Sequence, residues 1–319
     1  MLDIIAIILP LFILIGVGFG CVRTGFLRKQ DVRVFGAFVL HLALPVLVFL
    51  ALSGSRFSDI LNLDYVGVYG LGSIACFMIA LLFARLVRRQ PLEGSAMLAL
   101  GSATSNSGFI GYPLALLVVG APTAAIVMAL NIFIENAFII PLALALGAAG
   151  QAGKVAFGRL VVDTVKRLAR SPLIIAIVLG AGSSYFGLTL PGPVLDAANR
   201  LADAAGALSL IYVGGTLASL EVRRLGADVG QGVIGKLFLH PMVVLIGIWL
   251  WPGLPADYAT AALLFAAVPM FAVFPIFGAQ FGRQDMCAAI LFVTVIVSFF
   301  TLTGVLWLVT QHPGWLGLS

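Results

Sequence analysis

The stretch Ser102-Ala-Thr-Ser-Asn-Ser-Gly-Phe-Ile-Gly-Tyr-Pro113 places four aliphatic hydroxyl groups, an amide, two glycines and a proline within a strongly apolar chain. Of the 319 residues, 61% are hydrophobic and only 10% are charged, whereas a soluble domain carries about 25% charged residues. Apolar runs of about 18 residues or more recur along the whole sequence, which is typical of many membrane-spanning helices. The composition therefore predicts an all-α polytopic membrane protein embedded in a lipid bilayer.

Ten transmembrane helices are predicted from these runs. Their expected bounds are Ile4–Val22, Val34–Leu52, Tyr65–Val87, Ser95–Val119, Thr123–Leu146, Pro172–Leu188, Val194–Leu220, Gly232–Trp251, Tyr258–Phe281 and Met286–Thr310. All lysines and arginines except Arg56 and Arg200 fall on one side of this arrangement. The positive-inside rule puts that side in the cytoplasm and both termini in the periplasm, with the protein in the inner membrane. This distribution explains the net charge of +5 without a nucleic-acid partner.

An inverted repeat is predicted from the two halves of the chain. A basic loop, residues 147–171, separates a first set of five helices (1–146) from a second set (172–319). Because five is odd, the two sets would have opposite orientations, as in many secondary transporters. The fourth predicted helix contains Phe109-Ile-Gly-Tyr-Pro113 and the ninth contains Phe271-Ala-Val-Phe-Pro275. We therefore expect the fourth and ninth helices to correspond.

Both of these helices are expected to be broken. A proline inside a helix removes a hydrogen bond and clashes with the carbonyl four residues back. In lipid, the freed backbone groups are tolerated only where they are buried in protein or line a wet cavity. We expect the fourth helix to break at Gly108–Pro113, and the ninth carries a second proline, Pro269. A simple packing kink is the alternative to a functional break.

A small anionic solute is the expected ligand of the polar run beside the first break. Half-helix N-termini carry partial positive charge and N–H donors, and the Asn106 amide adds two donors and an acceptor. The predicted substrate-binding residues are Ser105, Asn106, Ser107, Gly108, Tyr112, Pro113, Pro269 and Pro275.

Over its full length the sequence resembles the auxin efflux carrier family, which includes plant carriers and short bacterial permeases of the malonate and malate type. The motifs that carry the resemblance are Asn106-Ser-Gly-Phe-Ile-Gly-Tyr-Pro113, His41-Leu-Ala-Leu-Pro45, Ile211-Tyr-Val-Gly-Gly-Thr-Leu217, and Ala267-Val-Pro269 through Gln280-Phe-Gly282. The first of these is the most specific.

The resemblance implies a fold and a substrate class. The fold is two inverted five-helix repeats related to bile-acid sodium symporters, with the fourth and ninth helices broken and crossed in a mobile domain. Helices one, two, six and seven would form a scaffold, through which a homodimer is expected. Members move small organic carboxylates, and the family's carboxylate-contacting Asn corresponds to Asn106, its crossover prolines to Pro113, Pro269 and Pro275. Many relatives carry an Asn where this chain has apolar Val273 or its neighbours, which removes one polar group from the expected site.

Three residues are candidates for proton coupling: Glu135, Asn131 and His240. Glu135 is an acid near the centre of the fifth helix, where an ionisable side chain costs at least about 2.5 kcal/mol, and Asn131 shares its face. A proton site, a substrate-facing acceptor and a hydrogen-bonded packing group all remain open for Glu135. Lys236 shares a face with His240, but we expect it to snorkel to the cytoplasmic surface.

The sequence as a whole favours a secondary transporter of small organic carboxylates, with malonate- and malate-type dicarboxylates preferred. Export of auxin-like aromatic monocarboxylates is the alternative, followed by a passive channel. No enzyme is expected, because the sequence holds none of the HExxH, GxSxG or Walker patterns. Cys21, Cys76 and Cys287 are scattered, and there is no CxxC or Cys/His cluster, so neither a metal site nor a cofactor is predicted.

Overall fold

The computed structural model describes residues 2–55, 62–151, 162, 164–166, 168–220, 226–312 and 314. Every element with defined bounds in this part of the chain is helical. In chain order the helices are α1 (Leu2–Arg23), α2 (Lys29–Ser53), α3 (Leu63–Val87), α4 (Leu92–Ala103), α5 (107–119), α6 (Ala121–Gly150), α7 (Pro172–Phe186), α8 (Gly192–Ser219), α9 (Ala227–Leu250), α10 (Ala256–Ala267), α11 (Phe274–Ala279) and α12 (Gln284–Gln311). The all-helical prediction is confirmed.

Several of these helices can cross a membrane. Among the described residues, seven helices meet the length and hydropathy that a span requires, namely α1, α2, α3, α6, α8, α9 and α12. Helices α7 and α10 are apolar but shorter. The chain is therefore a membrane protein with several apolar spans. Arg56 and much of the predicted 147–171 linker lie outside the described residues.

Four helices widen for one turn just before a proline. The wide turns are Val39–Ala43, Ser107–Gly111, Glu135–Ile139 and Gly235–Leu239, and each ends two residues before Pro45, Pro113, Pro141 and Pro241 respectively. In three of them the next N–H bonds the carbonyl five residues back, as in a π-helix. In a regular α-helix the ring of a proline clashes with the carbonyl group four residues before it. A π turn before the proline relieves this clash without ending the helix.

The break in the predicted fourth helix lies upstream of its expected position. Helix α4 ends at Ala103, Thr104 is extended (φ −115°, ψ 153°), and helical structure resumes at Ser107. Gly108–Pro113 is therefore helical, and the expectation of a break there is wrong. Pro113 is accommodated by the π turn, whereas Ser and Thr hydroxyls compete with the helix for carbonyl groups. Thr104 Oγ1 donates to Leu100 O at 2.7 Å.

The predicted ninth helix is broken between Ala267 and Phe274. Pro269 lies within this gap. Since the chain is not helical there, the N–H that proline lacks is not needed for a helical hydrogen bond. Pro275 instead occupies the first turn of α11, a position that favours proline because the N–H has no helical partner there. The two prolines of this segment thus have different roles: one lies in the break and the other starts the next helix.

The described residues pack into two compact units. Unit 1 comprises Met1–Leu63, Ser107–Phe133 and Leu168–Ser219, and unit 2 comprises Asp64–Asn106, Ile134–Arg167 and Leu220–Ser319. Unit 1 thus contains α1, α2, α7 and α8, the helices that the resemblance assigns to a scaffold, together with α5 and the start of α6. Each unit draws helices from both halves of the sequence.

In unit 1, glycines let helices α1 and α8 approach closely. A Cβ atom at Gly18 would collide with the backbone carbonyl of Ile211, and one at Gly214 with that of Ile15. Small residues at an interface let the backbones of two helices pack directly against each other. In a membrane this packing drives helix association, because lipid is as apolar as the side chains and the hydrophobic effect gives no driving force. The contact between α1 and α8 therefore depends on glycine at both positions.

Unit 2 is built around two short buried helices. Every residue from Gly94 to Ala103 of α4 is buried, as are Ala259 and residues 261–267 of α10. A helix that is apolar all round is stable only when other helices surround it. Both helices end inside the unit, so their last carbonyl groups and the chain that follows them are buried as well.

Replacement of Gly18 by alanine tests the α1–α8 packing. We expect Gly18→Ala to lower the free energy of unfolding by about 1–3 kcal/mol, because overpacking forces the two backbones apart. Gly16→Ala, two residues away on the same helix, is the control, since its Cβ would meet no atom within 4 Å. Thermal unfolding in detergent measures both. Equal midpoints for the two variants would contradict the close contact.

Candidate functional site

The two helix breaks meet inside unit 2. The backbone N–H of Asn106, in the first break, donates to the carbonyl of Pro269, in the second, over 2.7 Å. Both residues are buried, with Asn106 only 1% exposed. Phe274, at the start of α11, lies against Gly101 of α4, where a Cβ would meet its ring at 2.7 Å. The extended segments between α4 and α5 and between α10 and α11 are thus hydrogen-bonded to each other.

Glu135 accepts a second N–H that the break releases. Its Oε1 lies 2.7 Å from the backbone nitrogen of Ser105, and the side chain is 4% exposed. A buried N–H without an acceptor costs a large part of its desolvation energy, and a carboxylate forms a stronger bond than a neutral acceptor. Glu135 is the first residue of the π turn in α6. Its carboxylate therefore has a definite structural partner.

Lys236 approaches Ser105 from the other side. Its Nζ donates to Ser105 Oγ at 2.7 Å and to His240 Nδ1 at 2.7 Å. The side chain is fully buried, so the expectation that Lys236 snorkels to the surface is wrong. The hydroxyl and imidazole acceptors hold the ammonium inside unit 2, and the π turn Gly235–Leu239 places Lys236 beside the end of α4.

Two further side chains complete the network. Tyr69 OH lies 2.9 Å from Ser105 Oγ, and Ser73 Oγ lies 3.0 Å from His240 Nε2. With Lys236 Nζ as the donor, Nδ1 of His240 accepts, and its Nε2–H then faces Ser73. We call Tyr69, Ser73, Ser105, Glu135, Lys236 and His240 the polar cluster; all six are buried.

Ser105 is the centre of the polar cluster. Its N–H is bonded to the Glu135 carboxylate, and its hydroxyl contacts both the Lys236 ammonium and the Tyr69 phenol. An acid and a base therefore bind two different polar groups of one residue, its N–H and its hydroxyl. The N–H groups of Ser105 and Asn106 are both hydrogen-bonded within the protein, to Glu135 and to Pro269.

The predicted site residues divide between the two units. Ser105, Asn106, Pro269, Pro275, Glu135 and His240 belong to unit 2, and Ser107, Gly108, Tyr112, Pro113 and Asn131 belong to unit 1. Asn131 is fully buried. In unit 1, Gly108 lies against Leu44, where a Cβ would meet Cδ1 at 2.8 Å. Tyr112 lines a cavity of about 380 Å³ together with Asn199 and Asp203 of α8.

The sequence analysis missed two members of the polar cluster, Tyr69 and Ser73, and it expected a third, Lys236, at the surface. The signal was present as matched spacing, since Tyr69 and Ser73 are four residues apart on α3, as are Lys236 and His240 on α9. Residues at this spacing share a helix face. Two polar pairs in otherwise apolar helices indicate two helix faces whose side chains can hydrogen-bond to each other.

Comparison with known proteins gives one family and two relatives. The pattern of the membrane transport protein family matches residues 3–306. The chain is 28% identical over 310 residues to a protein of Rhizobium meliloti named "Putative malonate transporter", which covers 97% of both chains. It is 25% identical over 244 residues, 74% of both chains, to an uncharacterized transporter of Methanocaldococcus jannaschii. The names of the family and of both relatives are those of membrane transporters.

Two neighbouring serines test the role of Ser105. We expect Ser105→Ala to lower the free energy of unfolding by roughly 1–3 kcal/mol, because it leaves buried polar partners without their hydrogen bonds. Ser107→Ala is the matched control: Ser107 is also buried, but its hydroxyl has no partner among the described residues. Chemical or thermal unfolding measures the difference. Two variants of equal stability would show that the hydroxyl of Ser105 does not hold the cluster together.

Proposed function

Since this chain belongs to the membrane transport protein family, which is the auxin efflux carrier family, we propose that it is a secondary transporter of small organic carboxylates that works by alternating access. Malonate- and malate-type dicarboxylates are the preferred substrates. The paired helix breaks, joined by the hydrogen bond from Asn106 to Pro269, are the observation that carries the proposal. Interrupted helices in a membrane protein typically surround a solute or ion site.

The proposed membrane arrangement follows the sequence predictions. Ten helices cross the inner membrane as two inverted repeats, residues 1–146 and 172–319, with the basic segment 147–171 in the cytoplasm and both termini in the periplasm. In this arrangement α4 and α5 together form one span, and α10 and α11 together form another. A homodimer through α1, α2, α7 and α8 belongs to the same proposal.

Asn106 is the proposed contact for the substrate carboxylate. It follows directly on Ser105, whose amide and hydroxyl are fixed by Glu135, Lys236 and Tyr69. The polar cluster thus holds the backbone next to Asn106. Ser107, Gly108, Tyr112 and Pro113 remain predicted contacts. Preorganisation of this kind lowers the entropic cost of binding, because the backbone of the site is ordered before the ligand arrives.

Dicarboxylates are favoured over two alternatives. The Rhizobium meliloti relative, which is similar to this chain over nearly its whole length, is named for malonate. In addition, the residues that follow Pro269 are apolar, so they lack the polar group that would contact an auxin-like acid. Export of auxin-like aromatic monocarboxylates is the second candidate. A passive channel is the third, and an enzyme is not proposed because the family and relatives bear the names of transporters.

Counterflow in proteoliposomes tests the proposal together with Asn106. Vesicles loaded with malonate should take up labelled malonate faster than empty vesicles. The binding site of a carrier returns to the outside with internal malonate bound, whereas a pore has no such step. Asn106→Ala removes hydrogen bonds to a charged group, each worth about 1.5–3 kcal/mol. Affinity should therefore fall by one to two orders of magnitude. The affinity of the Asn106→Asp variant should fall further, because the substitution sets a negative charge against an anion.

Gln311→Ala provides the control for these variants, since Gln311 is an exposed amide at the end of α12. It should transport like the wild type. Malate and indole-3-acetate, offered as competitors, distinguish the substrate classes. Uptake that does not respond to internal substrate would exclude a carrier. Unchanged binding in Asn106→Ala would place the carboxylate elsewhere.

A further inference from the structure

Helices α3 and α9 of unit 2 run antiparallel and are held together at two levels. At the first level, a Cβ added to Gly72 of α3 would meet Val244 of α9 at 3.1 Å. At the second, Gln231 Nε2 donates to the carbonyl of Ala80 at 3.0 Å, and Gln231 Oε1 accepts from Arg88 at 3.0 Å. At a rise of 1.5 Å per residue, the two levels are about 12 Å apart along α3.

An apolar groove of about 330 Å³ lies between the two helices. Its walls are Ile79 and Phe83 of α3 and Ile234, Phe238 and Met242 of α9. These five side chains are 46–61% exposed, whereas the polar cluster is buried on the inner sides of the same helices. The groove therefore opens away from the interior of unit 2.

The size of the groove fits one acyl chain. A helix with its side chains is about 10–12 Å across, so a single turn of a partner helix already exceeds the volume of the groove. An acyl chain is slender, apolar and present throughout the bilayer. Because lipid tails are as apolar as the groove, the chain alone gives no preference for one lipid, and selectivity must come from the headgroup.

Three arginines lie where such a headgroup would lie. Arg85, Arg88 and Arg89 follow the groove residue Phe83 within six positions, and Arg85 is about 3 Å beyond Phe83 along the helix axis. Arg88 is compensated by Asp228, whose carboxylate is 2.7 Å away. Arg85 and Arg89 are exposed and form no ion pair with the described part of the chain. This end of the groove thus carries two uncompensated positive charges.

We propose that the groove binds a phospholipid with an anionic headgroup. One acyl chain lies between α3 and α9, and the guanidinium groups of Arg85 and Arg89 bind the phosphate. Guanidinium groups bond phosphate oxygens in pairs, and basic sites beside membrane-spanning helices bind acidic lipid headgroups. The bound lipid braces the two helices whose inner sides carry the polar cluster. This binding site requires a membrane but no transported solute, and so it goes beyond the proposed function.

Quenching of tryptophan fluorescence by brominated acyl chains tests the inference. The full-length Phe238→Trp variant, which reports from the groove, is reconstituted in phosphatidylcholine vesicles with a minor fraction of brominated phosphatidylglycerol. The matched reporter is Phe300→Trp on α12, since Phe300 is 70% exposed and does not line the groove. The unsubstituted protein corrects for the native tryptophans. Brominated phosphatidylglycerol should quench the groove reporter more strongly, and brominated phosphatidylcholine should quench both reporters alike.

Removal of the two arginines should abolish this preference. In the groove reporter, Arg85→Gln and Arg89→Gln should each lower the preference for phosphatidylglycerol about fivefold, which corresponds to about 1 kcal/mol. Arg33→Gln combined with Arg170→Gln removes the same charge from exposed positions of unit 1 and should have no effect. Equal quenching of the two reporters would indicate only the ordinary lipid boundary and would overturn the inference. So would a preference that persists without both arginines.

A second measurement needs no reporter. Phosphatidylglycerol added to the detergent-solubilised wild type should raise the thermal unfolding midpoint more than phosphatidylcholine does, because a ligand of the folded state stabilises it. The variant without Arg85 and Arg89 should respond equally to both lipids. Equal responses of the wild type would contradict the proposed site, whatever the outcome of the transport assay.

Discussion

A helix that is interrupted inside an apolar protein must find partners for the backbone groups it releases. In this chain the requirement is met at Ser105 and Asn106, which follow the end of α4. The Glu135 carboxylate accepts one N–H, and the Pro269 carbonyl accepts the other. The second partner is itself part of an interruption, so each break supports the other. The remainder of unit 2 is arranged around this pair.

The carboxylate that satisfies the break creates a second requirement, because a buried charge is stable only when it is compensated. A charged Lys236 would supply the compensation through the hydroxyl of Ser105. His240, Ser73 and Tyr69 extend the same hydrogen-bond network. The π turns before Pro141 and Pro241 start at Glu135 and Gly235. The prolines thus widen both helices at the residues that carry the charges.

The sequence predicted the helices well, because an apolar run of the length of a bilayer has few other structures available. It also predicted that the fourth and ninth helices are broken. The exact position of the first break was wrong, since Pro113 is absorbed by a π turn and the polar residues before it interrupt the helix instead. Burial of Lys236 was missed because a lysine near a helix end can either reach the surface or turn inward, and the acceptor Ser105, beyond the end of α4, decides between the two. That acceptor is 131 residues away in the sequence.

The central claim is that Glu135 and Lys236 compensate each other through Ser105, and a double-mutant cycle tests it most directly. The free energy of unfolding is measured for the wild type, Glu135→Gln, Lys236→Met and the double variant. Each single variant leaves one buried charge uncompensated, which costs about 3–5 kcal/mol, whereas removal of both charges is often close to neutral. The account predicts that the double variant is more stable than the Lys236→Met variant. Additive losses, with the double variant the least stable of the four, would contradict it.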